Sequence, residues 1–242
     1  MSPNRQIRII FKILLDEYGP QGWWPISFTL EERDTSIERR AGYHPGDFSY
    51  PRNDQQRFEV CVGAILTQNT SWKNARLALA NLKKLNLLSI RNILNSDSDH
   101  LALAIKSAGY YNQKAIYLNN LARLFNESPF DALVKMPLEV CRKKLLCVKG
   151  IGPETADCVL LYALNKPSFV IDAYTNRIVS RLGIAGERQP YSQSRKLFEA
   201  SLERDTRVYQ EYHALLVKHG KTYYSRKPFG LRDTILTTSR LA

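Results

Sequence analysis

The chain has no apolar run approaching the roughly 20 residues that would span a bilayer, and its N-terminal stretch "RQIRIIFKILLDEYG" carries charges throughout. That stretch does not resemble a secretory leader. No two cysteines are spaced C-x-x-C: Cys61, Cys141, Cys147 and Cys158 stand apart inside apolar, helix-like runs. This argues against a thiolate metal site and predicts four buried, reduced thiols in a cytoplasmic protein. The histidines, His44, His100, His213 and His219, are scattered without metal-ligand spacing, so no metal is expected and no chemistry falls to them. Alternating strand patterns are missing as well. "PSFVID" is the one β-like stretch, and it is too short to make a sheet. No internal repeat or low-complexity segment stands out.

What is present in excess is positive charge. Lys and Arg number 35 against 23 Asp and Glu, a formal net charge of +12. A balance of that sign is the footprint of a protein that meets polyanions, and nucleic acid is the first candidate. An anionic membrane surface is the rival. With 242 residues and 44% hydrophobic content, the chain can build one large domain or two small ones.

The organisation reads as helical throughout. Ile7, Ile10, Phe11, Leu14 and Leu15 share one helical face, so residues 4 to 17 form an amphipathic helix that ends at Gly19-Pro20. Residues 19 to 57 hold too many prolines and glycines for long elements and read as an ordered loop or short-helix insertion. Helical spacing then returns in "RFEVCVGAIL", "SWKNARLALANLKKL", "NQKAIYLNNLARLF", "LEVCRKKLL", "PETADCVLLYAL", "IDAYTNRIVSRL" and "TRVYQEYHALLVKHG". Between two of these lies "CVKGIG", giving helix, tight glycine hairpin and helix. Backbone amides around Gly150 and Gly152 could converge on a phosphate, with Thr155 adding a hydroxyl. An ordinary helix connector would show the same glycines.

The wider pattern separates the two readings. "VKGIGPETADCVLLYAL" followed by "FVIDAYTNRIVSRLG" resembles the signature of the helix-hairpin-helix DNA glycosylase superfamily, in its endonuclease III-like branch. "GAILTQNTSWKNA", "GYYNQKA" and "HGKTYYSRKP" are similar, in the same order, to the strand-invading loop, the second DNA-facing hairpin and the C-terminal helix exit of that family. The resemblance runs from residue 58 to 228. It implies an all-α, two-lobed fold with duplex DNA in the cleft between lobes. One lobe would comprise residues 1 to 57 and 166 to 242. The other, 58 to 165, would carry the helix-hairpin-helix at about 138 to 165.

The resemblance also assigns roles. Asp172, before "AYTNRIV", is the catalytic carboxylate, although an aspartate there is equally a favoured N-cap; one side chain can do both. Gln68 and Asn69 would wedge into the gap left by an everted nucleotide, or simply end one helix and cap the next. Lys149, Lys114, Lys221, Arg226 and Lys227 would meet phosphates, with Gly150, Gly152 and Thr155 in the hairpin. Trp23, Trp24 and Trp72 would wall the base pocket or pack in the core, and a base made cationic by N-alkylation gains a cation–π contribution from them.

Two departures narrow the activity. Family members that cut the backbone carry a Schiff-base lysine where this chain has Glu154, and a carboxylate cannot serve as that amine. Many members hold an iron–sulfur cluster on four cysteines after "HG", whereas no cysteine follows Cys158 here and Tyr224 stands near the first ligand position. The pattern most resembles bacterial 3-methyladenine DNA glycosylases without a cluster. The expectation is a monomeric, cytoplasmic, nucleoid-associated hydrolase that excises alkylated purines and lacks a cofactor. A glycosylase for a deaminated or mismatched pyrimidine is the enzymatic alternative, and a non-catalytic DNA-binding module the other.

Overall fold

In a computed structural model the described residues are 1–27 and 42–236. They form helices and no strand. Among the described residues no helix is long and apolar enough to cross a membrane. Part of the 19-to-57 insertion, residues 28 to 41, lies outside the described residues.

The chain divides into two compact units, one of Met1–Phe48 with Pro167–Ala242 and the other of Ser49–Lys166. The first division falls nine residues before the expected one at 57/58. The reason is local: Asn53 caps the following helix by accepting from the Gln56 amide, and the Arg52 amide donates to the Gln56 side chain. Residues 49 to 53 are therefore the lead-in to that helix.

The 49–166 unit is built around α2 (Asp54–Leu66), buried from Val60 through Leu66. Around it lie α3 (Trp72–Lys84), α4 (Ile90–Asn95), α5 (Ser98–Ala104), α6 (Tyr111–Glu127), α7 (Phe130–Lys135), α8 (Leu138–Leu146) and α9 (Pro153–Cys158). Ser71, Ser89 and Asp97 cap α3, α4 and α5 through their side chains, the usual satisfaction of first-turn amides. Two helices, α4 and α7, are too short to show periodicity in the sequence. After Cys158 the helix widens into a π-turn, Val159–Ala163, every residue of which is buried. Such a turn rotates the apolar face, here letting five consecutive side chains pack against the core.

In the terminal-segment unit α1 (Pro3–Tyr18) packs on α11 (Tyr191–Ser201) and α12 (Thr206–Tyr223), while α10 (Ala173–Arg181) packs on α12. Phe169, Phe198, Tyr209 and Tyr212 form an aromatic core, with Phe169 and Phe198 stacked at 4.5 Å. "PSFVID" forms no strand; its residues 168–171 are buried, and it joins the core through Phe169, Val170 and Ile171.

One cysteine differs from expectation. Cys61, Cys141 and Cys158 are buried, but Cys147 is exposed. It caps the C-terminus of α8, where the helix turns into the hairpin and its outer face meets solvent.

Candidate functional site

The hairpin in the 49–166 unit is clamped from within. Arg142 on α8 donates through Nε and Nη2 to both carboxylate oxygens of Asp157 on α9, at 2.8 Å and 3.0 Å, and Asp157 is fully buried. A bidentate pair of this kind fixes the angle between the two helices. Between them, the Ile151 amide donates to the Val148 carbonyl. The amides of Lys149, Gly150 and Gly152 donate no hydrogen bond among the described residues. Three unspent donors on an exposed turn suit an anion.

The two glycines are there for different reasons. Gly150 has φ of +104°, and a Cβ there would collide with the Tyr117 ring of α6. Gly152 has φ of −86° and open space where a Cβ would point. We therefore expect Gly150→Ala to lower stability by several kcal/mol, since it combines strain with a ring clash. Gly152→Ala, at an N-cap where glycine is preferred to alanine, should cost at most about 1 kcal/mol but weaken duplex binding, because its added methyl fills the open space beside the unspent amides. Thermal melts and duplex titrations of the two variants separate these effects.

Several residues expected to face DNA are engaged internally. Lys114 is only 2% exposed, and its Nζ donates to the carbonyls of Leu66 at 2.8 Å and Ala108 at 2.9 Å. It is not a phosphate contact, because its ammonium stitches the end of α2 to the turn before α6. Thr155 is also buried, and its hydroxyl oxygen accepts from Nε2 of Gln68 at 3.0 Å. Gln68 donates as well to the Gly150 carbonyl at 2.9 Å, so its amide is held against the hairpin rather than presented outward. Asn69, by contrast, is exposed in the left-handed region at φ of 51°, and its side chain makes no hydrogen bond among the described residues. Lys149 is exposed, and so is Glu154 on α9. Trp72 is half-buried at the first turn of α3.

Burial pulls the Lys114 pKa down to about 8. The sign follows from linkage: between about pH 8 and the ordinary lysine value near 10.4, the unfolded chain binds more protons than the folded one. Stability relative to Lys114→Met should therefore rise across that window, by on the order of 2–3 kcal/mol, with the charge-burial penalty in full force below it. Urea titrations of both proteins at pH 7.5 and 10.5 read this directly, and a difference that stays flat or falls contradicts the burial of that ammonium.

The terminal-segment unit gathers the other chemistry. Asp172 is the N-cap of α10: its Oδ1 accepts from the Thr175 amide at 2.7 Å and the Thr175 hydroxyl at 2.8 Å. Oδ2 takes no hydrogen bond among the described residues. Capping and chemistry are thus divided between the two oxygens of one half-buried carboxylate. His213 and Lys221, both on α12, feel its charge. Burial lowers both pKa values, Asp172 opposes that fall in each, and Lys221 adds to it for His213. Close packing brings these elements together, since a Cβ on Gly220 would collide with Tyr174 of α10. Lys221 keeps much of its surface exposed, but its Nζ lies 5.2 Å over the Trp23 ring, so the charged end faces an indole.

Trp23 in turn stands 5.2 Å from Trp24 and 5.9 Å from Tyr43, ring centre to ring centre. Trp24 is buried, and its carbonyl lies 3.0 Å from Nε2 of His44. The segments at 22–26 and 42–46 also pair through two backbone bonds, Ile26 to Gly42 and His44 to Gly22. Residues 42 to 47 therefore hold the tryptophan segment in place. Sequence reading missed Tyr43 and His44 because both lie in an aperiodic stretch. It missed Tyr110 too, an aromatic 74% exposed in the left-handed region beside α6, whose only signal was its place in "GYYNQKA".

At the C-terminal exit the residues do not fit an iron–sulfur cluster, which needs thiolates. Tyr224 is buried and donates to Oδ2 of Asp233 at 2.9 Å; Nε2 of His219 meets the same oxygen at 2.8 Å, and Nδ1 lies 3.0 Å from the Tyr18 hydroxyl. Oδ1 of Asp233 accepts the amides of Ile235 and Leu236. The place of the first ligand is a packed polar knot. Arg177 of α10 donates to the Tyr224 carbonyl and lies over the Phe229 ring, so the knot also braces the helix that Asp172 caps. Of the remaining cations, Arg226 and Lys227 are exposed on this segment.

An all-helical fold with a clamped hairpin and a capping aspartate before the next helix defines a class, and comparison with known proteins identifies it. Residues 62–204 match the HhH-GPD superfamily of base excision DNA repair proteins. The chain is 42% identical over 222 residues to a provisionally named DNA repair glycosylase of Methanocaldococcus jannaschii, covering 90% of this chain and 88% of that one. It is 32% identical over 173 residues to endonuclease III of Sulfolobus acidocaldarius, covering 71% and 76%. Among solved structures, the fold matches H. pylori 3-methyladenine DNA glycosylase (MagIII) bound to 1,N6-ethenoadenine, with a TM-score of 0.68, 23% identity and coverage of 92% and 98%. A trapped endonuclease III–DNA covalent intermediate matches at 0.70, with 15% identity and coverage of 94% and 90%. The protein belongs to the HhH-GPD superfamily, in its endonuclease III-like branch. It is a base excision repair DNA glycosylase whose partner is DNA with a damaged base.

Proposed function

We propose that this enzyme hydrolyses the N-glycosidic bond of an N-alkylated purine of the 3-methyladenine type in duplex DNA, leaving an abasic site without a Schiff base. The observation that carries the reading is the Asp172 carboxylate, anchored through Oδ1 and unspent at Oδ2. As the base departs, positive charge grows on the deoxyribose, and a fixed carboxylate stabilises it and takes a proton from the water that adds at C1′. Alkylated purines are good leaving groups and need little more. Glu154 in the lysine slot supports hydrolysis over lyase chemistry. Trp23 and Tyr43, both half-buried, supply aromatic surface for an everted base, with the buried Trp24 packed against Trp23, and the match to a 3-methyladenine glycosylase fold is compatible with it. The hairpin amides with Lys149 are proposed as the phosphate site, and Lys227 as an outlying phosphate contact. The residues at the C-terminal exit, where no cysteine stands, support an enzyme that works without an iron–sulfur cluster.

One observation favours a neutral lesion, such as a deaminated or mismatched pyrimidine. The Lys221 ammonium already faces Trp23, and a cationic base would have to share or displace it. A panel of duplexes, each with one lesion, decides between them by the identity of the released base. Release of 3-methyladenine and not of a deaminated pyrimidine supports the first reading. The reverse supports the second, and no release from any duplex points to a binding module.

A further inference from the structure

We infer that Glu211 and His44 are positioning residues for base excision: from opposite sides they hold the tryptophan segment, residues 21 to 26, in register with α12. The inference rests on the proposed reading that an everted base meets Trp23. Glu211 lies on α12 and is buried, and its Oε1 accepts the Gln21 amide at 2.6 Å. Among the described residues that is its one hydrogen bond. A buried carboxylate gives up its hydration, and here the bond that offsets part of that loss goes to a loop amide two residues before Trp23. His44 closes on the segment from the other side. Its ring is buried, with Nδ1 2.8 Å from the Asp47 carbonyl and Nε2 3.0 Å from the Trp24 carbonyl. A neutral ring has one N–H and serves one of them, whereas the imidazolium serves both. Gly22 shows how closely the two segments approach: at its φ of +63° a Cβ would run into the backbone of His44 and Pro45.

The common reference is α12. It carries Glu211, which ties Gln21, and Lys221, whose Nζ lies over Trp23; Lys221 and His213 of the same helix feel the Asp172 charge. The helix that Asp172 caps, α10, packs against α12 as well. Indole and carboxylate are thus indexed to one rod, the first by a loop tie and the second by helix packing. A segment that slips on α12 carries the aromatic surface away from the carboxylate. Misplacement of a reacting group by about 1 Å can cost on the order of 100-fold in rate. Glu211 and His44 act through Trp23, so their effect falls on the chemical step and leaves affinity for undamaged DNA alone.

Two readouts separate the ties from their consequence: amide exchange at residues 21–26 in the free protein, and single-turnover release from a duplex bearing 3-methyladenine at saturating protein. Glutamine at 44 places its amide nitrogen near the position of Nε2 and asparagine near that of Nδ1, so His44→Gln can keep the Trp24 bond while His44→Asn keeps only the one to Asp47. Likewise Glu211→Gln retains an acceptor for the Gln21 amide, and Glu211→Met does not. His44→Asn and Glu211→Met should speed exchange at 21–26 as the segment opens locally and slow release about ten- to hundredfold, with Kd for undamaged duplex unchanged. The two glutamine variants should recover most of both losses. A role in packing alone would lower the melting temperature without slowing release. Unchanged exchange at 21–26 in both His44→Asn and Glu211→Met overturns the inference. So does faster exchange with a normal release rate in both, beside a slow Trp23→Ala. A wild-type rate in Trp23→Ala overturns the pocket reading first and the inference with it. If one of the two variants does not fold, the other decides. If the wild-type protein releases a different base in the lesion panel, the same variants are read on that duplex.

Discussion

Asp172→Asn is expected to slow base release about 100- to 10,000-fold at saturating DNA, the range set by loss of a general base or charge-stabilising carboxylate. The substitution is nearly silent for the fold. An asparagine oxygen can still accept from the Thr175 amide and hydroxyl that Oδ1 now engages, and asparagine caps helices as well as aspartate does. Thermal stability and affinity for undamaged duplex should therefore stay close to wild type while the single-turnover rate falls. The expected secondary effect is on Lys221 and His213, whose pKa values Asp172 now holds up: both should move further down in the variant. Single-turnover rates within a few-fold of wild type would leave the carboxylate with capping alone.

The largest expected effect on stability comes from the other unit. Arg142→Ala removes the bidentate partner of the Asp157 carboxylate at a site with no solvent access, and breaking a buried pair from one side costs about 3–5 kcal/mol. Replacing both partners with apolar residues of similar size, as in Arg142→Met with Asp157→Leu, should recover part of that loss, because the double variant leaves no carboxylate charge at the buried site. Chemical denaturation of the single and double variants measures the difference. If the single variant lost less than about 1 kcal/mol, the hairpin would not be clamped by this pair as described.

Both of these sites were partly legible in the sequence, for one reason: they are local. Asp172 precedes a helix whose first turn it caps, and the hairpin announces itself by two glycines and a proline between apolar runs. Local rules carry that far, since caps and turns depend on residues within a turn of one another. They do not say which way a long side chain points. Lys114 reads as an exposed basic residue in "GYYNQKA", yet it turns inward because two carbonyls, one of them 48 residues away in sequence, await a donor there. Gln68 and Thr155 turn toward each other across 87 positions. Cys147 shows the converse, an apolar-run residue left outside because the helix ends at it. The tryptophan segment lay in the part of the chain with no period to read, and its support by His44 and Tyr43 depends on pairing between two irregular segments. The π-turn at Val159–Ala163 also defeats a strict helical period, so the run reads as one continuous helix.

The claim on which the enzymology depends is that a carboxylate acts here without an amine nucleophile. The most direct measurement incubates the protein with a duplex bearing one alkylated purine, with and without borohydride, and follows strand breaks before and after alkali. The account predicts a released base, breaks that appear only after alkali, and no protein–DNA adduct on reduction. An adduct trapped by borohydride, with breaks already present at neutral pH, would contradict it.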